Sequence, residues 1–296
     1  MLDIRTVQFA DLDLVGKFVN QSAEWAKARE GAIGGSQVGT ILGLNPWESP
    51  LTCFYKMRGD IPSSVEPNLR MRLGTLLEQP LLELFQEQHT DWMLYDSATY
   101  AHKKYPFLHA NPDGFYQDES GELHLIEVKT SRDFWSDGVP LHYRAQVMFY
   151  LWMFGLRHAK VVALTAGDYN EFDVWFDEFE AMSMMKQVVA FYDMVQKNQR
   201  PAFDGAENTY VTIRSLNPDV SDDRVELPQQ LGIDLVNTAH ELDELGVKMT
   251  ELKSRVLDCM GDARVGFIDV DGEEFVVATR QKRGNNAPHL VIKKGK

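Results

Sequence analysis

Two carboxylates and a lysine stand close enough in this sequence to share one site. Asp113 lies in an Asn111-Pro-Asp-Gly turn between apolar runs, and Ile126-Glu-Val-Lys-Thr begins thirteen residues later. Leu123 to Val128 has the composition of a strand, so Glu127 and Lys129, two apart, face the same side. A hairpin pairing Phe115 with the strand through Val128 would return Asp113 to the side of Glu127. Such a trio suits metal-dependent hydrolysis of a phosphodiester. Hard carboxylates hold Mg²⁺, which keeps positions open for water and phosphate oxygens. An oxygen-rich site of this kind accepts Mn²⁺ as well. Neighbouring carboxylates oppose any lowering of the lysine pKa, so orientation and charge stabilisation are the expected role for Lys129.

Elements must position these groups. Residues 8–30 read as a helix, with Leu12, Val15, Phe18 and Val19 on one face. Ser36, after Gly34-Gly35, is expected to cap a helix over about 37–43, whose N-terminal amides form a ready phosphate site. Arg70 to Gln88 repeats leucines at spacings of three and four around Glu78, with Gly74 one turn earlier. Strand pieces follow at Trp92–Tyr95 and Ala98–His102. His142 to Phe154 is an aromatic-rich helix carrying Gln146, an amide able to hold water, a base edge or a backbone group. Lys160–Thr165 and Phe172–Phe176 read as strands and 178–197 as a helix. Residues 204–228 have linker composition. Leu231 to Met260 keeps a near-heptad rhythm, and Val265 to Ala278 reads as a hairpin. These readings divide the chain into 1–203, a linker at 204–228, and 229–296.

Composition limits the functions open to such a chain. At 296 residues it suits one large domain plus an appendage. No apolar run approaches the ~20 residues that cross a bilayer, and Met-Leu-Asp-Ile-Arg has no signal-peptide pattern, so a cytoplasmic protein without membrane contact is expected. Cys53 and Cys259 form no disulfide framework and are expected to be reduced thiols. A net charge of −14 argues against a general nucleic-acid coat but leaves room for a basic groove. Arg280 to Lys296 holds six Lys or Arg and no acid, a DNA-touching arm or a solvated terminus.

The ordered set Arg29 to Ser36, Leu42-Gly-Leu-Asn-Pro-Trp, Gly74-x-x-x-Glu78, Asn111-Pro-Asp-Gly, Ile126-Glu-Val-Lys and Ala145-Gln-Val resembles the lambda-exonuclease or YqaJ-type alkaline exonucleases of the PD-(D/E)xK superfamily. The resemblance covers about residues 25–203. It implies an α/β fold, a restriction-endonuclease-like core with a central mixed sheet flanked by helices. To this the sequence adds a C-terminal helix and hairpin. It also implies Mg²⁺-dependent digestion of duplex DNA from 5′ ends, leaving 3′ single strands for recombination. Carried over by position, Asp113, Glu127 and the Val128 carbonyl would hold metal, with Glu78 assisting. Lys129 would be the catalytic lysine, Gln146 would position water or DNA, and Arg29 and Ser36 would receive the 5′-phosphate. A homotrimeric ring and a phage single-strand annealing partner are implied too. Gln37 and Met148 stand where an acid and a second glutamine are frequent, and the Asp113–Glu127 interval is longer than in lambda exonuclease. The alternatives are an endonuclease or repair nuclease of the same superfamily, a non-catalytic DNA-binding subunit, and a coiled-coil interaction protein built on 231–260.

Overall fold

A computed structural model describes the chain except residues 19–21, 64–67, 283, 285, 286 and 294–296, and the side chains of 23, 25 and 26. The chain divides into two compact units, Met1–Val220 and Ser221–Lys296.

In the first unit the elements run β1 (Leu12–Gly16), α1 (Ala23–Ala28), β2 (Ile33–Gly34), α2 (Gly35–Ile41), α3 (Pro50–Arg58), α4 (Leu69–Gln88) and β3 (Met93–Tyr95). They continue with β4 (Thr99–His102), β5 (Leu108–Ala110), β6 (Gly114–Gln117), β7 (Leu123–Ser131), α5 (Leu141–Phe154), β8 (His158–Thr165), β9 (Asp168–Trp175), α6 (Glu178–Gln196) and α7 (Glu207–Leu216). The central sheet has the order β3-β6-β7-β8-β9. It is mixed: β7 runs parallel to β8 and antiparallel to β6, while β9 returns antiparallel to β8. The expected hairpin is present, with Gly114 opposite Ile126 and Phe115 opposite Leu125.

Both faces of this sheet are covered, so β7 is buried continuously from His124 to Val128 rather than in alternation. Ile126, Val128 and Val162 pack with Leu81, Leu82 and Phe85 of α4. Leu125, Val161 and Ala163 face the other way into the larger core with Phe149, Met148 and Ala145 of α5. Asn68 caps α4 through the Met71 amide, and Asp177 caps α6 through the Glu180 amide.

Three expectations are corrected here. Residues 8–30 are not one helix: Leu12–Gly16 is a strand, paired with β4 in a second sheet of order β1-β4-β5-β2. Leu12 and Val15 mimic helical spacing, but pairing with a strand far along the chain prevails; Val19 lies outside the described residues. The 204–228 stretch holds a helix, α7, tied to α3 by buried hydroxyls. Thr212 Oγ1 lies 2.8 Å from Thr52 Oγ1, and Thr209 Oγ1 donates to Ser49 Oγ at 2.6 Å. On α4, Leu73, Leu76 and Leu84 of the expected apolar face are exposed, whereas Leu82 is buried.

The second unit contains α8 (Gln229–Met260), β10 (Val265–Val270), β11 (Glu273–Gln281) and β12 (His289–Ile292), the last three forming one antiparallel sheet. The expected hairpin is therefore two strands of three. Arg280 is not on a free arm: it pairs with Leu290 across the ladder, and its guanidinium donates to the Gly261 carbonyl.

Candidate active site

Asp113 immediately precedes β6, and its carboxylate crosses to the neighbouring strand. Asp113 Oδ2 accepts a hydrogen bond from the Val128 amide at 2.7 Å. Glu127 and Lys129 share the face of β7 that meets α5. Lys129 Nζ donates to Glu127 Oε1 at 2.5 Å, and Gln146 Nε2 on α5 donates to the same oxygen at 2.5 Å. Glu127 is 2% exposed, and its second oxygen, Oε2, is buried with no hydrogen-bond partner.

The electrostatics follow from this packing. Burial, reinforced by the Asp113 charge, pushes Glu127 up to about 8; Lys129 works against the rise and Glu78 adds to it. Burial likewise raises Asp113, against the pull of Lys129 and the Val128 amide. Burial alone would lower Lys129, but the Glu127 and Asp113 charges and the hydrogen bond to Glu127 outweigh it and the ammonium is held above its ordinary value. Lys129 is thus a fixed positive charge. It also lies 5.2 Å from the centre of the Tyr143 ring.

A buried carboxylate oxygen without a partner is a costly arrangement unless something else satisfies it. Two carboxylates beside a strand carbonyl form the hard oxygen set that suits Mg²⁺, which needs only one or two protein carboxylates and keeps solvent for the rest. Among the described residues no cluster of three or more His, Cys, Asp or Glu is placed to hold an ion. A divalent cation here would therefore rely on Asp113, Glu127 and non-carboxylate oxygens. Glu78 is partly buried on α4, and its charge reaches Glu127. Gly74 is not needed for close approach, since a Cβ there would stand 3.4 Å from Thr130 Oγ1, an ordinary contact.

The second sheet brings the Arg29–Ser36 segment to the same neighbourhood. Strand β2 pairs parallel with β5, placing Gly34 opposite His109, four residues before Asp113. Gly35 is required by the ring it touches, and Gly34 leaves room for the end of the Arg29 side chain. A Cβ on Gly34 would stand 2.4 Å from the Arg29 guanidinium, and one on Gly35 would stand 2.5 Å from the Tyr150 ring. Tyr150 hydroxyl donates to the Asn111 carbonyl at 3.3 Å, and Gln146 Nε2 approaches that hydroxyl at 3.4 Å. Burial lowers the Arg29 pKa while Tyr150 acts to raise it. Ser36 is exposed in the first turn of α2 and is not its N-cap. Gly34 takes that place, and the Gln37 side chain accepts from the Gly34 amide at 2.8 Å.

Asp113, Glu127, Lys129, Val128 and Gln146 are thus brought together. Glu78 is linked to them by charge and Arg29 through Tyr150. Sequence reasoning singles out neither Tyr143 nor Tyr150. Their signal was the spacing Tyr143, Gln146, Tyr150 on one helix face.

The mixed sheet thus sets Asp113 at the mouth of β6 and carries Glu127 and Lys129 on the neighbouring β7. Residues 24–157 match the YqaJ-like viral recombinase domain family. The uncharacterized protein YqaJ of Bacillus subtilis (strain 168) is 28% identical over 264 residues, which cover 83% of this chain and 80% of YqaJ. The alkaline exonuclease LHK-Exo of Laribacter hongkongensis was solved alone and with dAMP. The dAMP complex is 17% identical, and the match covers 67% of this chain and 100% of that one with a TM-score of 0.50, a likeness of fold.

Proposed function

We propose that this protein is a Mg²⁺-dependent exonuclease that degrades duplex DNA from 5′ ends, leaving 3′ single strands for recombination. The observation that carries the reading is the buried cluster of Asp113, Glu127 and Lys129, with Glu127 Oε2 left without a partner.

Asp113, Glu127 and the Val128 carbonyl would hold the divalent cation, with Glu78 adding negative charge. When bound, the cation polarises the scissile phosphate and favours deprotonation of attacking water. The residues do the rest. Gln146 fixes Glu127 by holding Oε1, which leaves Oε2 as the free donor atom. Lys129, kept protonated by its two carboxylate neighbours, orients the water and stabilises negative charge that develops on the phosphoryl oxygens. A high pKa argues against Lys129 as a general base. Arg29 is the expected receiver of a 5′-phosphate, since a guanidinium forms paired hydrogen bonds with phosphate oxygens. The exposed Ser36 hydroxyl would add one more donor. Double-stranded ends are the substrate. A three-membered ring around the DNA and an annealing-protein partner belong to this reading through the family resemblance.

The test is digestion of linear and covalently closed duplex DNA with Mg²⁺, the linear form labelled differently at each end of each strand. Loss from 5′ ends with the circle intact is expected. Cutting of the circle would replace this reading with an endonuclease, and binding without cutting would replace it with a non-catalytic subunit.

A further inference from the structure

Helix α8 carries a pattern that its own chain does not use. None of its residues is buried. Leu231, Leu235, Leu242, Leu245, Met249 and Leu252 lie on one seam, and Thr238 and Val256 complete it, so that steps of four and three alternate throughout. This is the a and d pattern of a two-stranded coiled coil. Leu242 is 64% exposed and Leu245 60%. Ile233 and Val247 fall on the opposite side and take no part.

The residues flanking the seam differ on its two sides. On one side stand Asp234, Glu241, Lys248 and Arg255, at intervals of seven. Their signs run minus, minus, plus, plus, so the row is complementary to itself when reversed. On the other side stand Gly232, Ala239, Gly246 and Lys253. Glycine inside a helix is unfavourable relative to alanine. A Cβ on Gly232 or Gly246 would meet nothing within 4 Å in the single chain, so nothing there requires glycine. Close approach of a second helix does.

We propose that α8 pairs with α8 of a second copy of this chain as an antiparallel coiled coil. One register satisfies every feature. Leu242 meets Leu245 of the second copy, Leu235 meets Leu252, Thr238 meets Met249, and Leu231 meets Val256. The same register sets Glu241 against Lys248 of the second copy and Asp234 against Arg255. It sets Ala239 against Gly246 on the small-residue side, where the backbones come closest. A parallel pair would place Asp234 against Ala239, Glu241 against Gly246 and Lys248 against Lys253, with no complementary partner. The antiparallel contact is two-fold, each helix giving and receiving the same interactions.

The 296-residue chain, 33.8 kDa, is tested by its mass in solution at micromolar concentration. The wild type is expected at an even multiple of the chain mass, six copies where paired helices join two three-membered rings. Lys248→Glu with Arg255→Glu makes the row wholly acidic and should halve that mass. Adding Asp234→Lys and Glu241→Lys restores a self-complementary row and should restore the mass. These positions are all exposed, so the fold tolerates the changes. Orientation is read from the native thiol. Cys259 is exposed and lies on the seam, so mild oxidation would join the two copies of Cys259 in a parallel pair. In the antiparallel pair the thiols stand roughly 45 Å apart at 1.5 Å per residue and no such disulfide forms. A wild-type mass of one copy or an odd multiple, a mass indifferent to the charge changes, or ready cross-linking of the chain through Cys259 would overturn the proposal.

Discussion

At the scale of single residues, the proposed chemistry rests on one carboxylate oxygen. Glu127 Oε1 is held twice, by Lys129 and Gln146, while Oε2 is buried and unpartnered. The two groups holding it should therefore differ in effect. Lys129→Ala removes the positive charge and is expected to lower turnover by hundreds-fold, the scale of electrostatic catalysis. Gln146→Ala removes one hydrogen bond to a charged group, worth about 1.5–3 kcal/mol, so a loss of roughly ten- to a hundred-fold is expected in kcat. Steady-state rates on a linear duplex separate the two; equal losses would give Gln146 a direct part in the chemistry. Arg29→Ala should weaken the preference for a 5′-phosphorylated end more than hydrolysis of a strand already engaged. Equal losses on phosphate and hydroxyl ends would remove Arg29 from that role.

At the scale of elements, what was legible in the sequence was what is local. Asp113, Glu127 and Lys129 could be placed together because a turn and one hairpin do the placing, and β7 extends only to Ser131 beyond the expected strand. Less legible were contacts between distant segments. Leu12–Gly16 is a strand because β4 lies beside it, a partner more than eighty residues away. Helix α7 escaped notice because Thr209 and Thr212, its buried residues, are polar and satisfied by Ser49 and Thr52 rather than by an apolar stripe. Strand β2 is two residues long and carries no pattern of its own, yet it sets Gly34 beside His109. Helix α3 offers a test of this packing. Cys53 on α3 is buried, and burial pushes its thiol up to about 12, whereas Cys259 is exposed. At pH 8 an alkylating reagent should modify Cys259 alone until the chain unfolds. The raised Cys53 value means the folded state holds this proton more tightly than the unfolded chain. Its contribution to stability is therefore complete below about 8.5, the ordinary thiol value, and is lost as pH rises through about 12. Replacing Cys53 by Ala should flatten the alkaline limb of a stability-versus-pH curve. Rapid labelling of Cys53 in the native protein would contradict the packing of α3.

At the scale of the whole molecule, the proposed activity sets an acidic chain against an acidic polymer. The net charge is −14, so affinity for DNA must come from local groups rather than from the body as a whole. The basic residues toward the C-terminus belong in part to a sheet: Arg280 lies on β11, and Lys293 follows β12 with its amide bonded to Val277. The two compact units divide at Val220, and every residue assigned to the chemistry precedes it. Truncation after Val220 should therefore keep hydrolysis of a short linear duplex within a few-fold at saturating DNA. If Lys282 and Lys293 touch phosphate, the same truncation should make the salt dependence of binding less steep, by about one counterion for each phosphate they neutralise. A fall in turnover comparable to that of a site variant would place part of the catalytic centre in the second unit.

The most direct test of the central claim, that Asp113, Glu127 and Lys129 form one cation-dependent hydrolytic centre, is single-turnover digestion of an end-labelled linear duplex. Wild type and Glu127→Ala would be compared with Mg²⁺ and with chelator, alongside thermal unfolding to show that the variant is folded. The expected result is a fall of hundreds-fold or more in the folded variant, matched by the wild type when Mg²⁺ is withdrawn. Full activity in a folded Glu127→Ala protein would contradict the account.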